Sequence, residues 1–156
     1  MASIYVEIRE GLKMNENNHS TDRAANGADI ATVFADPKFL ASVYAVTGKT
    51  SPEPINDIDA AKITDLPLSG SGIDDLKGLE YFVRLKILHC ADVKLTVLPA
   101  LPAELGIHDY GNDQLAESPA PPVELRILDC DNDQLPEPLV LPVELRILDC
   151  GSNQCI

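Results

Sequence analysis

Tryptophan is absent from this 156-residue chain, and phenylalanine and tyrosine together make up only 4% of it. Apolar residues still reach 45%, too many for a disordered chain. A core so poor in aromatics must be filled by leucine, isoleucine, valine and cysteine, which suits thin stacked layers better than a bulky globule. No run approaches about 18 consecutive apolar residues, so no segment reads as a membrane span. The first 28 residues lack the charged, apolar, then small-residue order of a secretory signal. That leaves three expectations open: a cytoplasmic protein, a delivered effector, or a fragment of a surface protein. Also missing are a C-x-x-C pair, a phosphate-binding glycine loop, a zinc signature and a nucleophile elbow. No cofactor or metal is expected, and the chain reads as non-enzymatic.

Basic residues are scarce where acids are dense. From residue 100 onward eleven acids are opposed only by Arg126 and Arg146, which places nine of the 13 net negative charges in the last 57 residues. Such a field repels nucleic acid and anionic membrane and steers a basic protein partner inward. A solubilising surface is the competing reading.

A repeat decides the fold. Residues 122–135 read PVELRILDCDNDQL, and residues 142–154 read PVELRILDCGSNQ, twenty positions on. Stepping back by twenty gives PAELGIHDYGNDQL at 102–115 and RLKILHCADVKL at 84–95. The columns are Leu85, Leu105, Leu125 and Leu145; Cys90, Tyr110, Cys130 and Cys150; and Leu95, Leu115, Leu135 and Cys155. A less regular rung precedes them, with Ile63, Leu66, Leu68, Ser71 and Ile73. These residues fit the leucine-rich-repeat template L-x-x-L-x-L-x-x-N-x-L, in which a short parallel strand carries the middle of each unit. The fold expected is an α/β repeat, a right-handed solenoid of about five parallel strands some 25 Å long. The template's asparagine position holds Ser71, Val93, Asp113, Asp133 and Asn153. Aspartate accepts hydrogen bonds but cannot donate to carbonyls, so a weakened internal ladder is expected. Proline in the linkers VLPALPAE, ESPAPPVE and EPLVLPVE argues against helix on the convex side.

Toward the amino end, ADPKFLASVYAVTG (35–48) predicts a helix that would lid the first rung. Asp36 can cap it, Pro37 suits its first turn, Phe39, Leu40, Val43 and Tyr44 form an apolar stripe, and Gly48 ends it. A short helical turn is expected at 57–62. Residues 1–28 stand apart as a leader or disordered segment, with a strand at 3–8 and a polar stretch at 14–27. The expected division is therefore 1–28, a helical cap at 29–62, and repeats over 63–156, the last one truncated.

The cap, together with ITDLPLSGSGIDDLKGLEYF at 63–82, resembles the amino-terminal cap and first repeat of internalin-like bacterial surface proteins. The 20-residue proline-bearing units resemble the repeats of bacterial LPX-type effectors, some of which carry a ubiquitin-ligase domain; no such domain follows the repeats in this sequence. The resemblance covers about residues 34–156. It implies a bacterial repeat protein that binds other proteins, and it carries no particular ligand.

Within the repeat, Cys90, Cys130 and Cys150 share one inward position and Cys155 takes a leucine position, so they read as small hydrophobes in a reducing compartment. Cys130 and Cys150 fall within disulfide reach by distance, but side chains on adjacent parallel strands are poorly oriented for the bond. His108 stands in the slot of Leu88, Leu128 and Leu148, so it should face the core and be satisfied by a backbone group. Gly106 replaces the arginine of the next two rungs, which marks the third rung as the loosest.

The concave face is the functional candidate. Its outward columns are Asp65, Ile87, Ile107, Ile127, Ile147 and Pro67, His89, Asp109, Asp129, Asp149. Isoleucine repeated toward solvent reads as a binding strip, unless it is only a strand former copied by duplication. The acidic column would select lysine or arginine on the partner. The function expected is recognition of a protein with a basic patch through Ile87, Ile107, Ile127, Ile147, His89, Asp109, Asp129 and Asp149. Two alternatives stand beside it: a homodimer through an uncovered carboxyl-terminal rung, and the substrate-binding arm of a ubiquitin-ligase-type effector.

Overall fold

The computed structural model describes residues 27–135 and 140–153. The expected strand at 3–8, most of the polar stretch at 14–27 and the placement of Cys155 lie outside these residues.

Helix α1, Pro37–Thr47, forms where the capping pattern predicts. Asp36 accepts from the amides of Lys38 at 2.6 Å and Phe39 at 3.1 Å, and Pro37 fills the first turn. Gly48 ends the helix in the left-handed region at φ 69°. Phe39 and Val43 are buried, and Leu40 and Tyr44 pack partly against the core. A shorter helix, α2, spans Asp57–Ala60, two residues less than the sequence suggests. Asp59 closes its start by accepting from the Asn56 amide, and Lys49 and Lys62 pair with the same carboxylate.

The solenoid has five parallel strands, β1 Asp65–Pro67, β2 Ile87–His89, β3 Ile107–Asp109, β4 Ile127–Asp129 and β5 Ile147–Asp149, in sequence order in one sheet. Each strand pairs with the next at the twenty-residue offset for β2 to β5, so the isoleucines stack on one another, while His108 stands between Leu88 and Leu128 and His89 faces Asp109. The ladder continues into the turns. Cys90 donates to the Asp109 carbonyl, Tyr110 to that of Asp129 and Cys130 to that of Asp149. After each of these strands one residue takes positive φ, namely Asp92, Asn112, Asn132 and Ser152 at 54–62°. Asparagine and aspartate tolerate that conformation best, which accounts for three of the four. No helix forms in the described parts of the proline-bearing linkers after β2, β3 and β4.

Leu66, Leu85, Leu88, Leu105, Leu115 and Leu125 are fully buried, and the core is one continuous cluster from Ile30 to Leu135. The three phenylalanines collect at the amino end. Phe34 meets Phe39 edge-on at 5.3 Å, and Phe82 closes the triangle, joining α1 to the first repeat. Gly78 sits against this cluster at φ 107°, where a Cβ would come within 2.5 Å of the Phe34 ring; only glycine fits. Asp36 adds a polar tie by accepting from the Asp74 amide at 2.9 Å.

The template's asparagine position behaves unevenly. Val93, Asp113, Asp133 and Asn153 are all buried there. Asn153 donates to the carbonyls of Cys130 and Cys150. Asp133 accepts from the Leu115 amide at a long 3.4 Å, and Asp113 has only the weak pull of the Leu95 and Val93 amides, short of well-formed hydrogen bonds. Burial first, and then repulsion from Asp133, push the Asp113 carboxyl up to about 7. Burial likewise lifts Asp133 to about 6.

The third rung corrects two expectations. His108 is buried as expected, but its Nδ1 has no hydrogen-bond partner. Its Nε2 faces Cys90 Sγ at 3.8 Å, and its ring lies 4.6 Å from that of Tyr110. The rung is also not loose. Leu105, His108 and Tyr110 are all buried, and Gly106 and Ile107 donate to the Lys86 carbonyl at 2.9 and 3.0 Å.

Candidate concave recognition face

The strand register fixes the outward columns. Asp65, Ile87, Ile107, Ile127 and Ile147 face one another across successive pairs, as do Pro67, His89, Asp109, Asp129 and Asp149. A three-residue strand puts its middle side chain inward and its two ends outward, so the isoleucine and the aspartate of each rung share the same surface. Ile87, Ile107 and Ile127 are half-buried between neighbouring rungs. Ile147 is 57% exposed, and Leu148 behind it is 38% exposed where Leu88 and Leu128 are buried.

The acidic column is crowded. Burial, with repulsion from Asp109, Asp131 and Asp149, lifts the Asp129 carboxyl above the usual range against the help of the Asp131 amide. Asp129 and Asp149 each turn one oxygen back to the amide two residues on, Asp131 and Gly151, both at 3.3 Å. These aspartates therefore also shape the turn, a role that the Asp-x-Asp and Asp-x-Gly spacing could have suggested. Among the described residues the one basic side chain paired with this column is that of His89, its Nδ1 3.3 Å from Asp109 Oδ2.

On the other side of the isoleucines lies a feature the sequence reading did not place. The residue before each isoleucine is Lys86, Gly106, Arg126 or Arg146. A groove of about 590 Å³ opens there, floored by Ile87, Ile107 and Ile127 and edged by Lys86, Arg126, Glu104 and Glu124. Its signal in the sequence was Gly106, the one position in that column without a side chain. The cysteines form no such surface. Cys90 and Cys130 are buried, Cys150 is half-buried, and burial pushes the Cys90 thiol well up. Among the described residues no cluster of histidine, cysteine, aspartate or glutamate could hold a metal ion, and no helix is long and apolar enough to cross a membrane.

Parallel three-residue strands at twenty-residue intervals, with inward leucines and a buried turn ladder, define a leucine-rich-repeat solenoid. Its relatives in structure are internalins. The functional domain of InlJ from Listeria monocytogenes, which includes a cysteine ladder, matches with a TM-score of 0.74 and 25% identity over 82% of this chain and 30% of its own. The internalin InlF from Listeria monocytogenes matches at 0.63 and 20% identity, over 78% of this chain and 40% of its own. The chain is thus an internalin-like leucine-rich-repeat protein that spans less than half of either structure. No protein-family model and no curated protein matches the sequence.

Proposed function

We propose that this chain is a non-catalytic protein-recognition module that binds a basic partner through its concave face. The observation that carries the reading is the pairing of two unlike columns in register, half-exposed isoleucine beside aspartate, of which Asp129 and Asp149 meet no basic side chain among the described residues. Covering isoleucine supplies affinity, roughly 25 cal/mol per Å² of apolar surface removed from water. The aspartates favour lysine and arginine opposite them and set orientation and encounter rate. The division into a cap at 29–62 and repeats over 63–156 belongs to the same reading, with α1 and the phenylalanine cluster covering the inner end of the first rung. The fold's relatives are internalins, a class of leucine-rich-repeat proteins whose architecture suits such a role.

The test is capture of partners from cell lysates by wild type and by Ile127→Asp/Ile147→Asp, with both proteins melted by circular dichroism. A partner held by wild type at low salt, weakened by added salt and lost by a folded double variant supports the reading. Equal capture by both proteins contradicts it.

One observation favours a second reading. All three residues of β5 are exposed, and Leu148, Leu141 and Val143 present apolar surface there. Strand edges of this kind pair readily, so self-association through β5 is the alternative.

A further inference from the structure

Gly106 stands where the other regular rungs carry Lys86, Arg126 and Arg146. Its backbone is that of an ordinary rung, since its carbonyl accepts from the amides of Arg126 at 2.9 Å and Ile127 at 3.1 Å. Only the side chain is missing, and Gly106 lies in the lining of the groove of about 590 Å³ that runs between Lys86 and Arg126. That volume falls within the range of pockets that hold a compact ligand. It accommodates a large side chain together with the backbone on either side of it.

The chemistry of the walls narrows the occupant. Lys86 and Arg126 are balanced by Glu104 and Glu124, so the groove selects no net ion, while its floor is isoleucine. The neighbouring column is the reverse: Asp109 and Asp129 are acidic, and His89 alone pairs there among the described residues. A second copy of this chain offers the acidic column little to pair with, because its acids outnumber its bases 25 to 12.

We infer that the groove over Gly106 is an anchor site for one bulky apolar side chain of a partner protein, carried beside a lysine or arginine. The apolar side chain lies on Ile107 between Lys86 and Arg126, and the basic neighbour reaches Asp109 and Asp129. A gap of this kind in an otherwise repeated column gives one rung a preference that its neighbours lack. Buried aromatic and arginine anchors commonly dominate such interfaces. The inference rests on the concave face being the recognition surface and deepens that reading.

The experiment selects short random displayed peptides on wild-type protein, then titrates the enriched peptides against variants by fluorescence anisotropy. Enriched peptides should share a large apolar residue next to lysine or arginine. Gly106→Arg restores the residue of the following rungs, so it folds, yet it fills the groove; it should weaken binding about tenfold or more. Gly106→Ala should change binding by less than about threefold, because the added Cβ meets only the Lys86 carbonyl at 3.7 Å. Melting curves verify that both variants are folded. Peptides that bind Gly106→Arg as tightly as wild type but lose Ile127→Asp/Ile147→Asp overturn the groove and leave the concave face standing. Acidic peptides, or no enrichment at all, overturn both. A wild-type dimer dispersed by Gly106→Arg assigns the groove to self-association and overturns the inference.

Discussion

Asn153 donates its side-chain amide to the carbonyls of Cys130 and Cys150, while Asp133, one rung earlier, accepts from the Leu115 amide. The same inward position thus closes the turn in one rung and leaves a buried carboxyl with a long contact in the rung before it. Replacing Asp113 and Asp133 by asparagine should stabilise the protein at pH 8. Each carboxyl is raised in the folded state, from 3.8 to about 7 for Asp113 and to about 6 for Asp133, so the folded protein prefers the neutral form. The stability they allow is intact below pH 4 and is lost as pH rises through 6 to 7. The gain expected is about 1 kcal/mol per site, or roughly 2–4 °C each. Thermal melts of wild type and Asp113→Asn/Asp133→Asn between pH 4 and 8 test this. Curves that differ equally at every pH would contradict it.

His108 bears on the acid side. Burial lowers its imidazole from 6.5 to about 3, so it is neutral when folded and protonates on unfolding. Its contribution is full above pH 6.5 and falls as pH drops below that value. His108→Leu installs the residue of the rungs on either side and removes the unpartnered Nδ1. The variant should melt higher than wild type at pH 5, with a smaller difference at pH 8. A lower melting point at pH 5 would show that the contacts with Tyr110 and Cys90 matter more than the buried polar atom.

Asp36 ties α1 to the first repeat by accepting from Lys38, Phe39 and Asp74. Burial works against its ionised form, but the three amides outweigh it and hold the carboxyl below the usual range. That stability is present above 3.8 and is lost as pH falls. Asp36→Ala should cost about 1–2 kcal/mol at pH 7, with the loss shrinking toward pH 3. Chemical denaturation at several pH values measures both.

The repeat made most of this fold legible. A fixed spacing of twenty states which residues share a column, and in a parallel sheet columns become neighbours, so Ile107 and Ile127 could be placed face to face from spacing alone. The cap of α1 was legible as well, because Asp36, Pro37 and Gly48 each act within one helical turn. What escaped depends on three dimensions. That His108 would find no backbone partner depends on where the carbonyls lie around its ring, which spacing along the chain does not state. The missing arginine at 106 was visible, but its effect was misread as looseness, since a sequence shows an absent side chain and not the space between Lys86 and Arg126. The turn-closing bonds of Asp129 and Asp149 were likewise hidden by their expected role as surface charges.

If β5 serves as a pairing edge, sedimentation should show a dimer that grows with concentration and disappears in Leu148→Asp. Leu148 is 38% exposed, so the substitution leaves most of the core undisturbed. A strict monomer at high concentration contradicts self-association through this edge.

The concave face is tested most directly by methyl NMR of isoleucine-labelled protein titrated with a captured partner. Ile107, Ile127 and Ile147 should shift or broaden, while the buried Ile30, Ile55 and Ile73 stay unmoved. Shifts confined to isoleucines outside the concave column, with Ile107 and Ile127 unchanged, would place recognition elsewhere on the solenoid.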